Sequence, residues 1–188
     1  SQSALRRRPS LILACRKNLH HSSAMEILTR YQLRMADPQK DAAVIARLKV
    51  ACWREAYEGI LPAALLDELS VERATRSWEQ ALGKGVAWIA EYAGTPVGFT
   101  HVTGGEVTTL YVRKSDQGCG LGCELLQRSF EEIACLAYEE ARVWVLEENT
   151  AARHFYERMG GQRVARRAVG FSRWPDIMEV RYDFHLPD

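Results

Sequence analysis

Gln117-Gly118-Cys119-Gly120-Leu121-Gly122 stands between an apolar run, Thr109-Leu110-Tyr111-Val112, and a helical pattern, Leu121-Leu125-Leu126-Phe130-Ile133. Strand, glycine-rich turn and helix, in that order, build an anion site. Glycines let the backbone approach a phosphate closely. The first N–H groups of a helix lack acceptors inside it, and the macrodipole adds partial positive charge there. The stretch therefore reads as a pyrophosphate-binding turn. A P-loop would continue Gly-Lys-Ser/Thr, and this turn does not. A dinucleotide turn would read G-x-G-x-x-G. Here Gly118, Gly120 and Gly122 are spaced by two and two, and the third dinucleotide glycine falls on Cys123. The strand-like segment Arg142–Leu146 ends in Glu147-Glu148, where an acid could hold a ribose hydroxyl. Taken alone, the turn leaves open a dinucleotide site and a plain helix start.

The flanking pattern separates these readings. Upstream, a strand is predicted at Tyr31–Met35, then a helix capped by Asp37 or Asp41 and running to about Tyr57. A second helical region carries Leu65, Leu66 and Leu69 and continues from Val71 to about Leu82. Three strands follow, Val86–Tyr92, Pro96–Val102 and Glu106–Val112, joined by Ala93-Gly94-Thr95 and Thr103-Gly104-Gly105. The main helix runs to about Tyr138. Beyond it come a strand at 141–146, a short helix at 151–159 and strands at 162–169 and 177–185. The loop Gly170–Pro175 carries Phe171 and Trp174. An antiparallel meander first and a crossover later is the order of an α+β domain. A dinucleotide fold alternates strand and helix from its start.

The chain has 188 residues, 47% of them apolar, which suits one domain with one core and excludes a disordered protein. No run approaches the ~20 apolar residues of a membrane span. The net charge of +1 makes no case for nucleic acid. Residues 1–24 carry Arg6, Arg7, Arg8, Arg16 and Lys17 and no acid; taking these five from the overall +1 leaves −4 on the rest. We read 1–24 as a basic extension and 25–188 as a single domain. The extension fits a start codon placed upstream of a true start at Met25, an expression tail, a transit peptide or a basic arm. Cys15, Cys52, Cys119, Cys123 and Cys135 make an odd count without a C-x-x-C pair or zinc spacing, which indicates reduced thiols and a cytoplasmic setting. Cys119, at the head of a helix, reads as a small turn residue or as a thiol activated by the dipole.

A second segment decides among the anion-site readings: Asn149, Ala152, Phe155, Tyr156, Glu157 and Gly160, in the order N-x-x-A-x-x-F-Y-E-x-x-G. With Gln117, Gly120 and Gly122 as Q-x-x-G-x-G, the chain resembles the GCN5-related N-acetyltransferase (GNAT) superfamily. Trp53-Arg54-Glu55-Ala56-Tyr57-Glu58-Gly59-Ile60-Leu61-Pro62 is similar to the opening of many bacterial members, Val97-Gly98-Phe99 to a central strand, and Glu179–Tyr182 to the last strand. The resemblance covers roughly Tyr31 to His185. Two departures are visible. The strand before the turn ends Val112-Arg113-Lys114 instead of Val-x-Pro, and Gly160-Gly161 replaces Gly-Phe.

The resemblance implies a mostly antiparallel twisted sheet of about six or seven strands, helices on both faces, and a splay between the two central strands. It implies acetyl transfer from acetyl-CoA to a primary amine by direct attack in a ternary complex, without a metal, nucleic acid or membrane. It is compatible with a homodimer. The backbone of Gln117, Gly118, Cys119, Gly120, Leu121 and Gly122 would hold the pyrophosphate. Leu110, Tyr111 and Val112 would pair with the pantetheine arm, and Asn149 would bond it. Tyr156 would protonate the leaving thiolate, and Glu106 would serve as base through water. Trp53, Tyr57, Phe171 and Trp174 would line the acceptor site. The alternative on the same fold is a module that binds acyl-CoA without turnover.

Overall fold

Seven strands form a single sheet in the order β1-β2-β3-β4-β5-β7-β6 in the computed structural model, which describes residues 30–186. The strands are β1 (Gln32–Met35), β2 (Val86–Tyr92), β3 (Thr95–Thr103), β4 (Glu106–Val112), β5 (Glu140–Leu146), β6 (Gln162–Ala168) and β7 (Met178–His185). The helices are α1 (Ala42–Tyr57), α2 (Ala63–Asp67), α3 (Val71–Leu82), α4 (Leu121–Cys135) and α5 (Thr150–Arg158). Every neighbouring pair of strands is antiparallel except β4–β5. The basic extension at 1–24 lies outside the described residues. Among those described, no helix is long and apolar enough to cross a membrane.

Strand alternation gives the sheet two apolar faces. On one, Ile45, Ala46, Leu48 and Cys52 of α1 and Trp78 and Leu82 of α3 pack on Ala87, Ile89 and Phe99. On the other, α4 lays Leu126, Phe130 and Ile133, and α5 lays Tyr156 and Met159, on Val107, Ala141, Val143, Val180, Tyr182 and Phe184. Leu121 and Leu125 extend that contact to Ala90, Val97 and Val112. Polar groups deep in this layer are satisfied: the fully buried Thr100 and Ser129 hydroxyls meet at 2.7 Å and also bond the Thr109 and Leu125 carbonyls.

Element boundaries depart from the sequence reading where side chains choose unexpected partners. Asp41 stands at the cap position of α1 but makes no cap bond. Its carboxylate accepts instead from both terminal nitrogens of Arg34 and from the Asp37 N–H. Arg34 holds that carboxyl below the usual carboxylate range. Helix α4 stops at Cys135 and not near Tyr138, because Ala137 turns left-handed at φ +61° and the Tyr138 N–H returns to the Ile133 carbonyl. Gly161, the second departure from the family pattern, is required by packing. A Cβ there would stand 2.7 Å from the Phe184 ring and 3.0 Å from the Tyr156 carbonyl. Gly161→Ala is expected to cost about 1–3 kcal/mol of stability by overpacking, measurable by urea unfolding; a neutral result would show that Phe184 can yield.

His101 is 3% exposed and lies edge-on to Trp78, with Nδ1 2.6 Å from the Thr108 hydroxyl and Nε2 3.2 Å from the Ala81 carbonyl. Burial lowers its pKa. Because the unfolded chain then takes up the proton first, this contribution is complete above the free value of about 6.5 and fades as pH falls below it. The melting temperature should therefore decline from pH 7 to pH 5.5, and His101→Gln should flatten that slope. An unchanged slope would remove His101 from the account.

Candidate active site

The glycine turn begins with a 3₁₀ turn at Lys114–Asp116 and ends at Gly120, the cap residue of α4, whose φ of +96° an L side chain rarely adopts. Glu124 is the first residue of α4 to donate back, to the Gly120 carbonyl. No side chain caps the helix, so its leading N–H groups face the turn. Three anchors fix the turn. The Gln117 amide donates to the Val112 carbonyl at 2.9 Å. Tyr31, just before β1, donates to buried Asp116 at 3.1 Å. Glu55 of α1 receives Arg113 at 2.6 Å and the Lys114 N–H at 3.0 Å. Burial pushes the Glu55 carboxyl up, but these donors outweigh it and hold the group below its ordinary value. The first departure from the family pattern thus has a use: Lys114, where the pattern has proline, donates an N–H to Glu55 that proline would lack, and Arg113 beside it ties the end of β4 to α1. The Cys119 thiol is turned inward onto the Asp116 carbonyl at 3.1 Å.

β4 and β5 pair only at Glu106–Arg142 and Val107–Val143, and from there they part. Leu110, Tyr111 and Val112 keep their register with Thr100, Phe99 and Gly98 of β3 but have none with β5. A parallel pair that opens after two residues leaves backbone donors and acceptors along one edge, directly upstream of the turn.

Three tyrosines converge on the gap. Tyr111 of β4 and Tyr57 at the end of α1 bring their hydroxyls to 3.2 Å. Tyr156 belongs to the layer on the opposite face, yet ionising Tyr57 would raise its pKa, and its own ionisation would raise that of Tyr111. Side chains from opposite faces of a sheet meet only where the sheet is open. Burial raises all three pKa values, so each hydroxyl keeps its proton at neutral pH. Asn149 caps α5, accepting from the Ala152 N–H at 3.1 Å, and its amide also reaches the Tyr57 hydroxyl.

The four aromatic residues expected to line the acceptor site lie together. Trp53, Phe171 and Trp174 pack on a cluster of Tyr57, Leu61, Leu65 and Leu146. Trp53 stands edge-on to Tyr57 with centroids 5.0 Å apart. A cleft of about 300 Å³ opens beside them, lined by Leu65, Glu68, Phe171 and Trp174 among others. Glu106 stands apart. It sits at the closed end of the β4–β5 pair, bonded to Arg142 at 3.1 Å. Leu110 is the fourth residue further along β4, about 13 Å away.

Sequence reading anticipated the backbone of Tyr111 but not its hydroxyl, and it missed Tyr31, Glu55, Arg113 and Asp116 altogether. Their partners lie 58 and 85 residues away, beyond any local spacing rule.

A family model described as an acetyltransferase (GNAT) domain matches residues 83–160, the span from the meander through α5. The Mycobacterium tuberculosis protein named Probable N-acetyltransferase Rv2775 is 31% identical over 138 residues, 68% of this chain and 77% of its own length. Among solved structures, a GCN5-related N-acetyltransferase from Rhodopseudomonas palustris superposes with a TM-score of 0.70 at 22% identity, covering 84% of this chain and 96% of its own. YncA from Salmonella typhimurium, solved with its cofactor acetyl-CoA, superposes at 0.64 with 18% identity, covering 84% and 95%. These likenesses in structure bear on the fold. The identity to the mycobacterial relative and the matched domain bear on descent, and they agree with the turn, the parted strands and the short helix after Asn149. The chain belongs to the GCN5-related N-acetyltransferase superfamily.

Proposed function

We propose that this chain is an acetyl-CoA-dependent N-acetyltransferase that moves an acetyl group to a primary amine by direct attack in a ternary complex. The observation that carries the reading is the parting of β4 from β5 immediately before an uncapped helix start. The similarity to a protein solved with acetyl-CoA supports it. Acetyl-CoA supplies the activated acyl group; the chain holds it and manages protons. The backbone of Gln117, Gly118, Cys119, Gly120, Leu121 and Gly122 binds the diphosphate. The free edge of Leu110, Tyr111 and Val112 takes the pantetheine arm as an added strand and polarises the thioester carbonyl. Asn149, already engaged through its oxygen with α5, offers its amide nitrogen to the arm.

Tyr156 is the acid. Burial raises its pKa and keeps it protonated, so it has a proton to give the departing thiolate. Glu106, at the closed end of the gap on the sheet face that also carries Tyr111, takes the amine proton through a chain of waters that spans those roughly 13 Å. Trp53, Tyr57, Phe171 and Trp174 wall the acceptor side. The test is release of free thiol from acetyl-CoA by the purified protein with a panel of primary amines. Release that depends on the amine is expected. Binding of acetyl-CoA with no thiol release for any amine would favour the sensing module.

A further inference from the structure

The register of the sheet singles out a carboxylate, Glu179, to which no motif assigns a role. Glu106–Arg142 and Val107–Val143 share one offset. Carried past the extra residue at Thr108, where β4 bulges against β3, that register sets Leu146 level with Tyr111 across the gap. Leu146 in turn pairs with Glu179 of β7. Val180, Tyr182 and Phe184 point into the α4–α5 layer, so Glu179 lies on the other face, with Tyr111, Tyr57 and Leu146. Its negative charge reaches the Tyr57 hydroxyl and helps keep it protonated. The side chain is 16% exposed, and its ion-pair partner is Arg167 of β6 at 2.6 Å. Arg167 is itself 55% exposed and lies 3.8 Å above the Trp144 ring, which gives it a second place to rest.

Resting on the acetyltransferase reading, we propose that Glu179 is the specificity-determining residue that binds the acceptor as an ammonium ion, displacing Arg167, and that the acceptor is a primary amine on an apolar body. A largely buried carboxylate bounded by Tyr57 and Leu146 favours a cation over a neutral group of the same shape, because an uncharged ligand would leave it facing an apolar surface. The aromatic cluster of Trp53, Phe171 and Trp174 takes the body of that ligand.

The test is a tryptophan-fluorescence titration of the CoA-saturated protein with phenethylamine and, as its uncharged counterpart, 2-phenylethanol. Phenethylamine should bind at least tenfold more tightly than 2-phenylethanol. Glu179→Gln should remove that preference, Arg167→Gln should strengthen amine binding severalfold, and the charge-matched change Asp176→Asn should leave it alone. A retained thermal shift with acetyl-CoA shows that Glu179→Gln is folded; if the shift is lost, the Arg167→Gln arm decides. Equal binding of the two ligands by wild type, unaltered preference in a folded Glu179→Gln, or no gain in Arg167→Gln would overturn the assignment. Failure of the wild-type protein to bind acetyl-CoA is a separate result and would instead sink the acetyltransferase reading.

Discussion

Acetyl-CoA at 100 times its dissociation constant stabilises the wild-type protein by about 2.7 kcal/mol and leaves Gly120→Glu unmoved. Two effects combine in that variant. Gly120 holds φ at +96°, so any L side chain is strained there, at about 1–2 kcal/mol. The new carboxylate would stand where leading N–H groups and dipole are meant for a diphosphate. The apo protein should therefore melt only slightly lower, while its response to ligand disappears. Gly120→Ala separates the terms: it carries the strain without the charge and should retain part of the shift. A full acetyl-CoA shift in Gly120→Glu would place the diphosphate elsewhere.

Tyr156→Phe should lower kcat by about 10²–10⁴ while leaving the Kd for acetyl-CoA nearly unchanged. The ring itself is core: it packs against Phe155 at 5.2 Å, Tyr182 at 6.1 Å and Phe184 at 6.2 Å between centroids. Phenylalanine keeps those contacts, so stability should hold within about 1 kcal/mol. Tyr57→Phe is the informative companion. It removes the hydroxyl next to Tyr111 without touching the acid, so a much smaller loss of kcat is expected. Equal rates for wild type and Tyr156→Phe would remove the acid role and leave Tyr156 as a core aromatic.

Whatever rests on short-range chemistry was readable in the chain. Alternation marked the β2–β4 meander, and the glycine spacing marked the start of α4. Asn149 followed by a helical run marked α5, where the same residue serves as its cap. What escaped depends on contacts that no local pattern encodes. Asp41 looked like a cap because caps favour aspartate, but Arg34 of a neighbouring strand claims its oxygens. The end of α4 cannot be read from the local pattern because Ala137 carries no turn signal, although it adopts a left-handed conformation. At the site, the sequence points to Trp53, Tyr57, Phe171 and Trp174 as an acceptor wall, and the fold packs the four in one cluster. Glu179, by contrast, reads as an ordinary strand residue until the register pairs it with Leu146 on the face that carries Tyr57 and Tyr111. The Tyr57–Tyr111 hydroxyl pair likewise exists only because α1 ends over the point where β4 and β5 part.

The most direct test of the central claim is a titration of isotopically labelled protein with acetyl-CoA, followed residue by residue through the backbone amides. The amides of Leu110, Tyr111, Val112 and Gln117 through Gly122 should shift together and saturate at one concentration, with NAD producing no such response. Saturable shifts confined to other parts of the sheet, or a response to NAD alone, would contradict the assignment of the parted strands and the glycine turn as the acetyl-CoA site.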